Sequence, residues 1–290
     1  MRILYISGGQ GCDYLCDMLY HGLRWHFGPE VVDVNRLSYM YQGSETAGLY
    51  GKGFTLYGLI HEGMVDRSDI QSKIRARYFD WVVFASIQRE YRMLGEVRES
   101  YGPDKILLID GEDNPLIYRN VLEHGIYFKR ELHSPQDKVW PIQFAIPEEK
   151  LQPANRKSHF MAALDPMDAR TYIYDDEASY YGDYRSSLFG KTMKKAGWDC
   201  LRHYEILACQ CLPYFQNIDF CPATIMQDFP KEECRFINSL LEYKGLNLFH
   251  QASGRELWAD IMQRCDKVLR EKLTTKALAT RVLDTVRSLA

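Results

Sequence analysis

Short apolar runs alternate with amphipathic segments along the chain. Runs typical of buried strands occupy residues 1–7, 81–86 and 105–109, and helix-spaced apolar residues occupy 13–27 and 89–100. Continuously apolar strands separated by helices are typical of a parallel sheet that is covered on both faces. The pattern therefore predicts an α/β fold.

Strands and helices continue to alternate up to about residue 215, and helices follow. The pattern predicts further strands at 31–34, 125–132, 139–145, 159–164, 187–189 and 212–215, and further helices at 69–76, after Pro115 to 122, 199–209, 231–241, 255–270 and 274–289. Residues 37–64 lose this periodicity and collect tyrosines and glycines, which is typical of a functional loop. Residues 170–185 are rich in tyrosine and acid, which predicts a helix beside a cleft.

A chain of 290 residues exceeds the usual size of one hydrophobic core. Residues 147–157 are polar and contain two prolines, as interdomain crossovers do. We therefore expect a first domain at 1–147, a second domain at 148–270 and a final helical segment at 271–290.

A basic loop follows the predicted strand at 187–189 and precedes the helix at 199–209. It contains Gly190, Lys191, Lys194, Lys195 and Gly197. Ligands bind at the carboxyl ends of parallel strands, and the amino end of a helix favours anions. We therefore expect a diphosphate as the ligand of this loop. The alternative is a solvated loop followed by a helix whose Glu205 is a surface charge.

The helix after this loop carries a motif. Arg202, Glu205 and Ala208 match the pattern R-x-x-E-x-x-A, and the run 205–213 corresponds to the pattern E-A-x-A-x-G-x-P. This segment resembles the nucleotide-sugar signature of GT-B glycosyltransferases, the glycosyl transferases group 1, and in particular the group related to spore-maturation glycosyltransferases. The likeness is strongest over residues 180–230.

The resemblance implies an architecture and an activity. Two Rossmann-like parallel-sheet domains would face a cleft, and the C-terminal helix would cross back to the first domain. The chain would move a sugar from a nucleoside-diphosphate sugar, such as a UDP sugar, to an acceptor hydroxyl on a glycan, a protein or a modified DNA base. Glu205 would accept hydrogen bonds from the ribose hydroxyls.

The donor site expected from the loop and from the resemblance contains Gly190, Lys191, Lys194, Lys195, Arg202, His203 and Glu205. Because these cations and the helix amino end can neutralise a departing diphosphate, we expect no metal and no further cofactor. One position departs from the family pattern, since Gly197 stands where a second glutamate is frequent.

Two groups on the acceptor side are candidates for a catalytic base. Asp110 begins a cluster of three carboxylates, with Glu112 and Asp113, at the end of a predicted strand. The cluster would serve as a base, as hydroxyl acceptors or as a divalent-ion site, or else as a turn that caps the next helix. His61, beside Glu62, is the second candidate base, and a surface pair is its alternative. Gly9 and Gly11 form a glycine turn that would approach the acceptor.

Composition indicates the class of protein and the state of its cysteines. A net charge of −3 argues against a surface coated for nucleic acid, and the absence of an apolar leader or span predicts a soluble cytoplasmic protein. The eight cysteines have the spacing of neither a disulfide scaffold nor a zinc site, so buried free thiols are expected.

Two other functions remain open from the sequence. A nucleotide-binding module without transfer activity would fit Gly197, and a dinucleotide-dependent oxidoreductase would fit the glycine turn after the first strand.

Overall fold

A computed structural model describes residues 1–8, 11–49 and 55–289. These residues form nine β-strands in two parallel sheets and eight α-helices. The α/β class is confirmed, and each sheet is Rossmann-like in being parallel, with helices in most of the connections between its strands. Gly9 of the predicted glycine turn and residues 50–54 of the predicted loop lie outside the described residues.

The first sheet has six strands in the order β2-β1-β3-β4-β5-β6, and every neighbouring pair is parallel. Its strands are β1 (Ile3–Ile6), β2 (Val31–Asp33), β3 (Trp81–Phe84), β4 (Ile106–Asp110), β5 (Ile126–Lys129) and β6 (Val139–Pro141). The second sheet has the order β7-β8-β9, with β7 (His159–Met161), β8 (Ser187–Met193) and β9 (Leu212–Gln216).

The helices cover and connect these sheets. They are α1 (Tyr14–Phe27), α2 (Ile70–Arg75), α3 (Leu94–Ser100), α4 (Glu177–Ser186), α5 (Leu201–Ala208), α6 (Lys231–Lys244), α7 (Ala252–Lys272) and α8 (Thr275–Leu289). Within the described ranges, none of them is both long enough and apolar enough to cross a bilayer.

The alternation of side chains along β1 shows that both faces of the first sheet are covered. Ile3 and Tyr5 belong to one buried apolar cluster, whereas Leu4 and Ile6 belong to another. Successive side chains of a strand point to opposite faces, so a strand buried on both faces is apolar at every position. This explains the unbroken apolar run that predicted the strand.

The chain leaves and rejoins the first sheet at neighbouring points. Ile146, just after β6, donates its N–H to Leu273 and accepts a hydrogen bond from Thr275, each at 2.9 Å. The final helix then packs against α1, where an added Cβ at Gly22 would lie 2.0 Å from the carbonyl oxygen of Thr275. The domain boundaries stay predictions, but the contact of α8 with α1 is close.

Several predicted elements are shorter than expected. The helix predicted up to residue 122 is a single 3₁₀ turn (Arg119–Val121), and the tyrosine-rich stretch becomes helical only at Glu177. The strand at 139–145 ends at Pro141, because the N–H of Phe144 bonds to Asp199 instead of a neighbouring strand. The predicted basic loop is shorter too, since β8 continues to Met193.

Six of the eight cysteines are buried free thiols, as their spacing predicted.

The close approach of α8 to α1 makes Gly22 a sensitive position. We expect Gly22→Ala to lower the free energy of unfolding by about 1–3 kcal/mol, because the added methyl overpacks the contact with backbone. Urea unfolding followed by circular dichroism measures the change.

Gly182 in α4 is the matched control, because an added Cβ there meets no atom within 4 Å. Gly182→Ala should raise stability by about 0.5–1 kcal/mol through helix propensity. Equal effects of the two substitutions would contradict the packing explanation.

Candidate functional site

A cavity of about 660 Å³ lies between the carboxyl ends of the two sheets. Its first wall comes from residues that follow β1, β3, β4, β5 and β6, namely Cys12, Asp13, Tyr14, Arg89, Gly111, Asp113, Arg130 and Phe144. Its second wall comes from residues that follow β7 and β8 and from α5, including Leu164, Lys195, Ala196, Gly197, Asp199, Cys200, Leu201, Arg202 and Glu205. The volume is that of an ordinary small-molecule site.

Two of the cations on the cavity wall are neutralised by carboxylates. Arg89 lies 3.4 Å from Asp13 and 3.2 Å from Glu112. Arg130 is 1% exposed and pairs with Asp113 and Glu131. These two guanidinium groups therefore hold the first wall together.

The other two cations on the wall, Lys195 and Arg202, form no ion pair with any carboxylate of the described residues. The Lys195 ammonium donates to the carbonyl of Pro166 at 3.2 Å, and Arg202 donates to the Tyr172 hydroxyl at 3.0 Å. The Nε of Arg202 is buried without a hydrogen-bond partner in the described chain. Together with the amino end of α5, these groups suit an anionic ligand.

Glu205 faces the same cavity from the second turn of α5 and is 6% exposed. One carboxylate oxygen accepts a hydrogen bond from the Thr55 hydroxyl, and the other accepts one from the Tyr180 hydroxyl. Burial raises the pKa of the Glu205 carboxyl, although both hydrogen bonds oppose the shift. The contact with Thr55 ties residues of the first half of the chain to the second sheet.

The segment before α5 is fixed to the first sheet by a small network. The Glu131 carboxylate accepts the N–H groups of Trp198 at 3.1 Å and Asp199 at 3.0 Å. Arg130 donates to the Asp199 carbonyl at 2.6 Å, and the Asp199 carboxylate accepts the N–H of Phe144 at 2.6 Å. Both walls of the cavity are therefore held in one arrangement.

Four of the predicted donor-site residues do not line the cavity. Gly190 lies within β8, where an added Cβ would be 3.1 Å from Tyr184 and Ile206, so it allows close packing. Lys191 pairs with Asp165 at 2.6 Å, and the Lys194 ammonium lies 5.8 Å from the ring centre of Trp198.

His203 is the fourth of these residues, and it is fully buried. Its two ring nitrogens bond to Thr192 at 2.7 Å and to the Trp198 carbonyl at 2.9 Å, and burial lowers its pKa to about 3. Of the seven predicted residues, the cavity wall includes Lys195, Arg202 and Glu205.

The two predicted bases also lie off the cavity wall. Asp110 is 0% exposed, receives hydrogen bonds from Lys129 at 2.8 Å and from Tyr127, and also caps the N–H of Glu112. Asp110 therefore forms a turn, as the alternative expected, but it caps no helix, since the next helical element, the 3₁₀ turn Arg119–Val121, begins after Tyr118. His61 is exposed, and its carbonyl accepts a hydrogen bond from Arg24 at 2.9 Å. Its neighbour Glu62 pairs with Arg36 and Arg67, and hydrogen bonding to Arg36 lowers the pKa of Glu62 to about 2.

Sequence reasoning missed several residues of the wall. Thr55 and Tyr57 lie in the segment 37–64, which was predicted to be a functional loop, and Tyr172 lies in the stretch 170–185, which was predicted beside a cleft, but neither prediction made these side chains site residues. Arg130 had a usable signal, since a charge directly after a buried strand lies at the ligand-binding edge of a parallel sheet. The same rule pointed to the cluster after β4, of which Asp113 reaches the cavity and Asp110 does not.

Comparisons with protein-family models and with curated proteins gave no match for this chain. In the described residues, no group of three or more His, Cys, Asp and Glu side chains is arranged to hold a metal ion.

Asp199 gives the site a testable pH dependence. Burial raises its pKa to about 6, although the neighbouring Arg130 opposes the shift. The folded protein thus binds this proton more tightly than the unfolded chain, whose aspartates titrate near pH 4. The ionised group consequently costs stability, and the cost grows as pH rises from about 4 to about 6.

We expect the free energy of unfolding of the wild type, relative to that of Asp199→Asn, to fall by roughly 2–3 kcal/mol as the pH rises through this window. Urea unfolding at a series of pH values measures it. A constant difference for Asp199→Asn would show that its carboxyl titrates alike in both states.

Proposed function

We propose that the protein is a glycosyltransferase of GT-B type that binds a nucleoside-diphosphate sugar in the cavity between its two sheets. The observation that carries the proposal is the pair Lys195 and Arg202, two cations without a carboxylate partner in the described residues, at the amino end of α5 and beside Glu205. This combination offers a phosphate site and a hydroxyl acceptor on one helix.

The phosphates would lie against Lys195, Arg202 and the first turn of α5. Breaking the bond between the sugar and the diphosphate leaves negative charge on the departing phosphate oxygen. Fixed cations and helix N–H groups stabilise such developing charge without reorganising during the reaction. With the charge stabilised by these cations and N–H groups, the proposed reaction needs no metal ion.

The ribose would lie against Glu205. A carboxylate oxygen accepts up to two hydrogen bonds, and Thr55 and Tyr180 use one position on each oxygen. The remaining positions suit the two neighbouring hydroxyls of a ribose.

The acceptor would enter along the first wall, near Asp13 and Tyr14. A glycan, a protein and a modified DNA base each supply the required hydroxyl, and we propose this class of acceptor without choosing among them.

A nucleotide-binding module without transfer activity is the second candidate. It is favoured by one observation, that neither Asp110 nor His61 lines the cavity. Release of nucleoside diphosphate in the presence of candidate acceptors separates the two functions.

A first test concerns the phosphate site. A thermal-shift screen selects UDP or GDP, because a ligand that binds the folded state raises its stability. Arg202→Gln and Lys195→Gln should each weaken binding of that nucleotide by about 10- to 100-fold, since each removes a hydrogen bond to a charged group. Isothermal titration calorimetry measures the affinities.

Lys191→Gln is the matched control, because Lys191 belongs to the same basic stretch but is paired with Asp165 off the cavity wall. It should bind the nucleotide as the wild type does. If all three substitutions weaken binding equally, the effect is general electrostatics and the phosphate site is wrongly assigned.

A second test concerns the ribose. Glu205→Gln keeps the size of the side chain and removes its charge, so binding of UDP should weaken by about 1–3 kcal/mol. Inorganic pyrophosphate has no ribose, and its affinity should be unchanged. Parallel losses for both ligands would instead assign Glu205 to the integrity of the cavity.

A further inference from the structure

We propose that Asp113, which lies in the loop after β4, binds hydroxyl groups of the sugar on the donor and so helps to determine which donors the cavity accepts. The inference rests on the proposed function and adds a residue from the opposite wall to it.

Its starting point is the crowded environment of Gly197. A Cβ at this position would lie 2.6 Å from a Glu131 oxygen and 2.9 Å from the Oδ1 of Asp113. Position 197 therefore has no room for a side chain, because two carboxylates of the first sheet occupy that space. Gly197 itself closes a tight turn, since its carbonyl accepts the N–H of Lys195 at 3.0 Å.

Of these two carboxylates, only Asp113 is available to a ligand. Glu131 is 1% exposed, and its oxygens already accept the N–H groups of Trp198 and Asp199. The Asp113 side chain is 54% exposed and lines the cavity. Its Oδ1 is bound by Arg130, whereas its Oδ2 accepts no hydrogen bond within the part of the chain that the structure describes.

The negative charge of Asp113 determines which part of a ligand can lie beside it. A carboxylate repels phosphate, so the phosphates of a ligand held by Lys195 and Arg202 would avoid Asp113. A neutral group with hydroxyl donors fits, because an ionised carboxylate only accepts hydrogen bonds and binds hydroxyls strongly. In a nucleoside-diphosphate sugar, the sugar is the neutral, hydroxyl-rich group next to the phosphates.

The pairing with Arg130 makes this carboxylate a rigid acceptor. Arg130 is buried, and it is held by the Gly111 carbonyl at 3.0 Å and the Asp199 carbonyl at 2.6 Å. A fixed acceptor distinguishes sugars by the position of their hydroxyls, since a misplaced hydroxyl leaves the carboxylate without its hydrogen bond.

The test compares a nucleoside diphosphate with its sugar ester by calorimetry, using UDP with UDP-glucose and GDP with GDP-mannose. In Asp113→Asn, the affinity for the sugar ester relative to the free diphosphate should fall by on the order of ten-fold, because a charged hydrogen bond to the sugar is lost. The affinity for UDP or GDP alone should be retained.

Glu112→Gln is the matched control, since Glu112 adjoins Asp113, pairs with Arg89 and does not line the cavity. It should keep the wild-type ratio of affinities. Asp113→Glu is a second variant that keeps the charge beside Arg130 and displaces the carboxylate by one methylene. It should also change the ratio, and it keeps the test valid if Asp113→Asn fails to fold.

The possible outcomes distinguish a failure of the proposed function from a failure of the sugar subsite at Asp113. If the wild type binds none of the four ligands, the proposed function is wrong. If the wild type binds but the Asp113 variants change both members of a pair equally, or change neither, the sugar subsite is wrong and the donor site stands. If sugar-ester affinity survives in Asp113→Asn while turnover is lost, Asp113 acts in the chemical step, which also overturns the binding role.

Discussion

The arrangement of the two sheets depends on one buried guanidinium. Arg130 follows β5, is 1% exposed and contacts Gly111, Asp113, Glu131 and Asp199. A buried charge is tolerated only when its donors are paired, so removing its partners would be costly. Because Asp199 belongs to the second sheet's side of the cavity, satisfying this one side chain also fixes the distance between the two walls.

This constraint separates charges that build the cavity from charges that face it. Arg89 and Arg130 are neutralised by carboxylates of the first wall, while Lys195 and Arg202 extend from the second wall with neutral partners in the described chain. A site whose cations are already in position loses little ordering entropy when it binds a ligand. The electrostatic asymmetry between the walls would also orient a ligand that is anionic at one end and neutral at the other.

The sequence predicted the elements of this fold better than it predicted their partners. Strands such as β1 and β4 are continuous apolar runs, so local patterns sufficed to predict them. Asp110 was misleading because its partner Lys129 lies on a neighbouring strand, opposite it in register, and strand order is not a local property. The contact of Thr55 with Glu205 joins residues 150 positions apart, which no periodicity encodes.

The hydrogen bonds of Ile146 with Leu273 and Thr275 bring together two points that are far apart in the sequence. Residues 147–273, with the second sheet and most of the later helices, begin and end beside a single point of the first sheet. This is the geometry of an insertion between β6 and α8. A short linker from Ile146 to Thr274 would leave the six-stranded sheet with α1 and α8 still adjacent.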